Sequence, residues 1–351
     1  MKKIIAKKEK PKSSLLEYMH SISSIPKSEP TEITLIEWCD YWLSTRANNI
    51  KDSTRSSYIN IINKHIKRGF EDMKISDITQ DDVQMFINSL IIGYGLSEPL
   101  QPKTIKNIHG VLYKVLSIAV MQHCIPQNPA DGIVLPPVER GERHPMNDTQ
   151  LEKFFDRIAN HEKKDIFCFT ILTGLRESEV IGLTADCFDE VSKTLHVYRQ
   201  LTYNKITHVY EFSSLKNNKS RVLTLTPQAY DIMVKYCSLA KDNEDFVFKN
   251  RANEHFTAAA LYNSFKKVVV SIGLPKVTFH DLRHTHAVLA LKAGVDIKTV
   301  QHNLGHYSAA FTLDVYGHCL DEMRVHGAEQ LNDYMTKFEV DTNSNKNNNE
   351  S

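Results

Sequence analysis

Several common chemistries find no support in this sequence. Its six cysteines, Cys39, Cys124, Cys168, Cys187, Cys237 and Cys319, are scattered. No two form a CxxC pair, which removes zinc-ribbon and redox-pair readings. Most sit among apolar neighbours, as buried free thiols do, and a reducing cytoplasm is the expected compartment. There is no HExxH helix and no GxxxxGKS/T loop, so neither zincin nor P-loop chemistry is indicated. No apolar run reaches the roughly 20 residues of a membrane-spanning helix. The basic start, MKKIIAKKEKPK, is not followed by a signal-peptide core. No internal repeat is visible. Net charge is only +1. The chain therefore lacks the overall basic field common in nucleic-acid binders, and local charge must carry any such argument.

The chain is 351 residues long and 41% hydrophobic, enough for two domains with cores of ordinary size. Residues 1–30 read as a basic N-terminal extension. Its lysines suit either a solvated tail or an arm that touches phosphate. Residues 31–133 read as a helical unit. Ile33, Ile36, Trp38, Tyr41 and Trp42 share one apolar helix face. A second helix follows Ser53 as N-cap, with Tyr58, Ile61, Ile62 and Ile66 at helical spacing. Thr79 and Asp82 resemble a capping box that opens a third helix reaching about Ile92. Pro102 starts a fourth, which carries the apolar stripe Ile105, Ile108, Leu112, Val115, Leu116 and Ala119. The polar residues Thr54, Arg55, Lys103 and Thr104 lie near helix starts. They fit either a solvated face or contacts to DNA phosphate and base edges.

Residues 134–146, rich in proline and charge, read as a linker. A second domain follows over 147–338. It opens with helices at Asp148–Ile158 and Lys164–Leu172, the latter closed by Gly174. Between Thr194 and Leu225 the period changes, and the β-rich segments predict a small antiparallel sheet. Lys216, Lys219 and Arg221 fall in its last turn. Helices resume at Pro227, Thr257, His280, Ile297 and Ser308. Residues 339–351 read as a polar tail, expected to be disordered. The expected fold class is mainly α with a small antiparallel β-sheet, a helical domain preceding a mixed α/β domain.

Residues able to act on a phosphodiester gather in the second domain. Arg176 lies between apolar flanks, where a charge needs a partner. Either it pairs with Glu179 or its guanidinium clamps phosphate oxygens. His280 and Arg283 share a helix face at i and i+3. His280 and His284 are also one turn apart, which raises a metal site, but no carboxylate stands out as third ligand. Gly305 ends a helix and releases His306. Tyr316, in FTLDVYGH, suits a core position more often than a nucleophile's.

Taken together, the segments TGLRESEVIGL, LKNNKSRVLTL, HDLRH, LGH and DVYGH resemble the tyrosine recombinases, or phage integrase family. QPKTIKNIHGVLYKVLSIAVMQHCIPQNPA resembles that family's core-binding domain, and the likeness covers about residues 31–335. The resemblance implies that Tyr316 attacks DNA to form a 3′-phosphotyrosyl bond. It implies that Arg176 and Arg283 bind the non-bridging oxygens, that Lys216 protonates the leaving 5′-oxygen, and that His280 and His306 assist. Glu179 would support the site. Lys219 is the alternative to Lys216. No cofactor or metal is required by such chemistry.

The implied partners are double-stranded DNA recombination sites, a tetramer of the chain on DNA, and directionality or DNA-bending proteins. The helix after Tyr316, with Leu331 and Tyr334 on its apolar face, packs on its own domain or docks into a neighbouring protomer. The expected role is integration or excision of a prophage or integrative element, in the cytoplasm and on the nucleoid. Resolution of chromosome or plasmid dimers, an inactive DNA-binding accessory and a metal-dependent hydrolase are the alternatives.

Overall fold

The computed structural model describes residues 32–46, 50–93, 98–139, 143–205, 207–215, 219–305, 328–329, 331–332 and 334–336. The chain divides into two compact units, the first comprising 1–140 with 204–208 and the second 141–203 with 209–351.

The first unit is helical. Helix α1 (Leu35–Thr45) begins at Thr34, whose side chain and Glu37 form a capping box. It buries Trp38 completely, and the indole Nε1 donates to the Val115 carbonyl at 3.0 Å. Helix α2 (Asp52–Ile61) starts from Lys51 rather than Ser53. Asp52 supplies a negative charge to the first turn, where the helix dipole favours one. The helix widens into a π-segment at Ile62–Ile66 before α3 (Lys67–Phe70). Helix α4 (Gln80–Ile92) opens on the expected box, with the Asp82 carboxylate accepting from the Thr79 N–H at 2.9 Å. Helix α5 (Pro102–Met121) has Pro102 in its first turn and buries Ile105, Ile108, Val111, Leu112, Val115, Leu116 and Ala119. The start of the expected linker is held to α4, because the Val134 N–H donates to Gln84 Oε1 at 2.9 Å.

The second unit is mixed. Helices α6 (Asp148–Ile158) and α7 (Lys164–Thr173) are followed by the short α8 (Glu177–Val180). Strands are β1 (Phe188–Asp189), β2 (Thr194–Val197), β3 (Arg199–Asn204), β4 (Val209–Ser214) and β5 (Arg221–Thr224). The expected single sheet is two. One has the order β1-β2-β5, with Leu195 opposite Leu223 and Val197 opposite Arg221 in antiparallel register. The other is β3-β4. The segment LHVYRQLTY is broken at Tyr198, whose hydroxyl donates to Asp186. A sheet change within one apolar run leaves no periodicity signal.

Helices α9 (Pro227–Cys237), α10 (Ala258–Ser271), α11 (Phe279–Lys292) and α12 (Ile297–Leu304) complete the unit. Phe154, Phe167, Phe265 and Phe279 form one aromatic cluster, with ring centroids 5.6–6.2 Å apart. It locks α6, α7 and α10 to the first residue of α11, next to His280. Ala287, Val288 and Leu291 of α11 pack on Val300 and Leu304, which sets α12 in place. Among the described residues no helix is long and apolar enough to cross a membrane.

Candidate active site

The site is built where the ends of α7 and α12 meet the start of α11. Helix α7 stops because Gly174 adopts φ 65, the left-handed conformation that glycine tolerates best. A Cβ there would lie 2.6 Å from His286 Cδ2, so the backbone turn is also a close approach. The turn delivers Arg176 to the N-cap of α8. Its N–H donates to Glu179 Oε2 at 2.9 Å, and its guanidinium donates to Glu179 Oε1 at 2.7 Å and to the Gly305 carbonyl at 3.3 Å. The expected salt bridge is therefore present. The Arg176 side chain remains 19% exposed.

Glu179 is 1% exposed. Burial alone would raise its carboxyl, but the hydrogen bonds and charge of Arg221, with the charge of Arg176, outweigh it and hold the group down to about 2. Arg221 is not a turn residue. It lies in β5, 4% exposed, and its Nη1 and Nη2 reach both Glu179 oxygens at 3.1 and 2.7 Å. Removing one member of such a buried pair typically costs about 3–5 kcal/mol, because it strands the other charge.

Arg283 is 1% exposed, held by α11. It donates to the carbonyls of Gly174, at 2.8 Å, and Leu304. His280 occupies the first turn of α11 and reaches the surface. Loss of solvent around part of the ring, then the Arg283 and Arg176 cations, hold its imidazole below the usual value. The His284 ring stands edge-on to it at 4.9 Å. Burial, then His280 and Arg143, push His284 down to about 3. Arg143 donates to His284 Nε2 at 3.2 Å, a cation where a metal site would need a ligand. Among the described residues no group of three potential ligands is gathered.

The other polar residues of α11 hold the incoming chain. Asp281 accepts from the Thr278 N–H at 2.8 Å and the His144 N–H at 3.3 Å, and Thr285 Oγ1 accepts from the Met146 N–H at 3.0 Å. Residues 143–146, expected within a linker, are thus part of this unit's polar framework.

Arg176, Glu179, His280 and Arg283 are brought together. Lys216, His306 and Tyr316 lie outside the described residues, as does the helix expected at Ser308. Lys219 is exposed. In the first unit, Thr54 and Arg55 are half-buried within α2, whereas Lys103 and Thr104 are exposed on the first turn of α5.

Sequence reasoning missed Arg143 and the burial of Arg221. Arg143 had no local signal. Arg221 had one: it is in phase with Leu223 and Leu225 along an alternating strand, so all three share the buried face.

The family model of the phage integrase family matches residues 145–323, and that of its N-terminal SAM-like domain matches residues 34–91. The chain belongs to the phage integrase family, the tyrosine recombinases, which are DNA strand transferases. It is 25% identical over 348 residues to a XerC-like tyrosine recombinase of Caldanaerobacter subterraneus subsp. tengcongensis, covering 90% of this chain and 87% of that one. It is also 25% identical over 298 residues to the ICEBs1 integrase of Bacillus subtilis, covering 81% and 79%. Its fold matches the Tn1549 transposon integrase in complex with a circular intermediate DNA. That match has TM-score 0.72 and 22% identity, and covers 85% of this chain and 99% of the other. A lambda integrase tetramer bound to a Holliday junction matches with TM-score 0.60 and 19% identity, covering 87% and 83%.

Proposed function

We propose that this chain is the site-specific recombinase of a mobile element, acting on a pair of duplex DNA sites during integration or excision. The observation that carries this reading is the arginine cluster. Arg176 and Arg283 converge beside His280, in the order and spacing of the family motifs. Guanidiniums bind two phosphate oxygens at once and stabilise the charge that develops on a pentacoordinate phosphorus.

In the proposed reaction the Tyr316 oxygen bonds to phosphorus and the bond to the 5′-oxygen breaks. Lys216 gives that oxygen its proton, and His280 and His306 handle the remaining proton and a phosphate oxygen. Each well-placed acid or base contributes roughly 10²–10⁴-fold. The 3′-phosphotyrosyl bond retains the energy of the broken linkage, so a 5′-hydroxyl can reverse the step without a nucleotide. Glu179 orients Arg176 instead of reacting. The first unit grips DNA through Thr54, Arg55, Lys103 and Thr104, and four protomers assemble on paired sites with directionality or bending proteins. Leu331 and Tyr334, 62% and 58% exposed, support docking into a neighbour over packing on their own unit. The reaction takes place in the cytoplasm, on the nucleoid.

The test is a 5′-nicked duplex made from DNA flanking the gene. Wild-type protein forms a denaturant-resistant adduct in EDTA, and Tyr316→Phe forms none. An adduct that requires a divalent cation would favour the hydrolase alternative, and none on a verified site would favour the inactive accessory.

A further inference from the structure

Helix α12 ends in a way that no single motif explains. The last carbonyls of a helix have no intrahelical donor. Here three consecutive ones, on Asn303, Leu304 and Gly305, are each met by an arginine from a different element. Arg221 Nε donates to Asn303 at 2.7 Å, Arg283 to Leu304, and Arg176 to Gly305 at 3.3 Å. Two of these arginines are the proposed phosphate ligands. The third, Arg221, has all three guanidinium nitrogens engaged by Glu179 and Asn303. The next residue along the chain is His306.

Arg221 is also well mounted. Strand β5 pairs with β2 through Val197 and Arg221. A Cβ on Gly305 would meet the Arg221 side chain at 3.4–3.7 Å, so the guanidinium lies against the turn itself. A planar fork with donors on three nitrogens can hold a carboxylate and a carbonyl together, which a lysine ammonium on a flexible stem does less well.

We propose that Arg221 is a positioning residue for strand cleavage. It ties Glu179, and through it Arg176, to the carbonyl end of α12 from which His306 follows. The phosphate-binding groups of two distant stretches of chain thereby keep one geometry. This rests on the recombinase reading above. A merely structural arginine would change how much protein folds. A positioning one changes the rate of folded, DNA-bound enzyme and its dependence on pH. Among the described residues, Arg176 and Arg221 are the charged groups bonded to Glu179. Without Arg221, burial acts on the carboxyl less opposed, and Glu179 takes up a proton at higher pH.

The experiment measures single-turnover adduct formation by the full chain on the nicked duplex, at saturating protein, from neutral to mildly acid pH. Arg221→Met is expected to be slower by roughly 10²-fold, with unchanged affinity in a gel-shift assay and an acid limb moved to higher pH. Arg221→Lys should recover part of the rate. Adding Glu179→Gln to Arg221→Met should cost little more than the worse single change, since both act on one ion pair. Wild-type rate and pH profile in Arg221→Met, or additive losses in the double variant, would overturn the proposal. If Arg221→Met does not fold, Arg221→Lys is decisive: slower cleavage with a shifted acid limb supports the proposal, and wild-type behaviour overturns it. If the wild-type chain forms no adduct, the recombinase reading is what fails.

Discussion

Helices α5 and α11 are both deeply buried, but with opposite chemistry. The buried face of α5 is aliphatic from Ile105 to Ala119, and its Lys103, Lys106 and Asn107 face solvent. That division is the ordinary route to stability. Helix α11 buries Asp281, Arg283, His284 and Thr285 beside Phe279, Leu282 and Ala287. Buried polar groups cost free energy unless paired, and each of these four has a named partner. The contrast teaches that α5 serves the fold, whereas α11 places cations and spends polar pairing on holding them still.

Substitutions in the two helices' neighbourhoods should separate these roles. The largest effect is expected from Trp38→Ala, which removes a side chain packed on α5. It should cost the first unit about 3–5 kcal/mol. Both tryptophans of the chain, Trp38 and Trp42, lie in α1, so emission from Trp42 during urea unfolding reads this unit alone. Second is Arg283→Lys. An ammonium does not reproduce the fork to Gly174 and Leu304, and adduct formation should fall roughly 10²–10³-fold, with hydrogen exchange of α7 and α11 unchanged. A comparable loss in both readouts would mean that α11 is a stability element after all.

Third are two glycines with opposite signs. Gly174→Ala forces a left-handed alanine, at about 1–2 kcal/mol before any clash. Its Cβ would also meet His286 and Leu304 within 2.6–2.8 Å. Gly110 of α5 has open space at its Cβ position, and Gly110→Ala should stabilise the first unit by about 1 kcal/mol or less. Hydrogen exchange of α7 and α12 reads the former, and Trp emission the latter.

The smallest effect is a pH dependence in the second unit. Burial holds His286 down to about 4, below its unfolded value of 6.5. The unfolded chain therefore takes the proton first, and stability falls as pH drops through that window. Glu177 opposes it. Burial raises its carboxyl to about 7 from 4.5, so the folded state takes that proton first and gains stability on acidification. The two should nearly cancel. Glu177→Gln should then make the second unit more acid-labile and His286→Leu less so, as read by hydrogen exchange of α11. Equal slopes in both variants would show that neither group is buried as described.

What was legible in the sequence was local. The α5 stripe, the Thr79–Asp82 box and the left-handed caps at Gly174 and Gly305 all depend on residues a few positions apart. The misplaced cap at Ser53, the π-segment after Ile61 and the split sheet carry no comparable spacing rule. In the site, HDLRH and TGLRESE marked Arg176, Glu179, His280 and Arg283. The bonds that hold them come from Arg143, Arg221 and the end of α12, which only tertiary proximity brings near. Arg221 shows the boundary most clearly. Strand alternation announces that it is buried, but nothing in the sequence says that its partner is Glu179.

The central claim is that these arginines serve a covalent phosphodiester exchange through Tyr316. Peptide mapping of the protein–DNA adduct formed in EDTA tests it most directly. A single modified peptide is expected, carrying nucleotide on Tyr316 through its 3′-phosphate, and none in Tyr316→Phe. An adduct on any other residue, or one that persists in Tyr316→Phe, would contradict it.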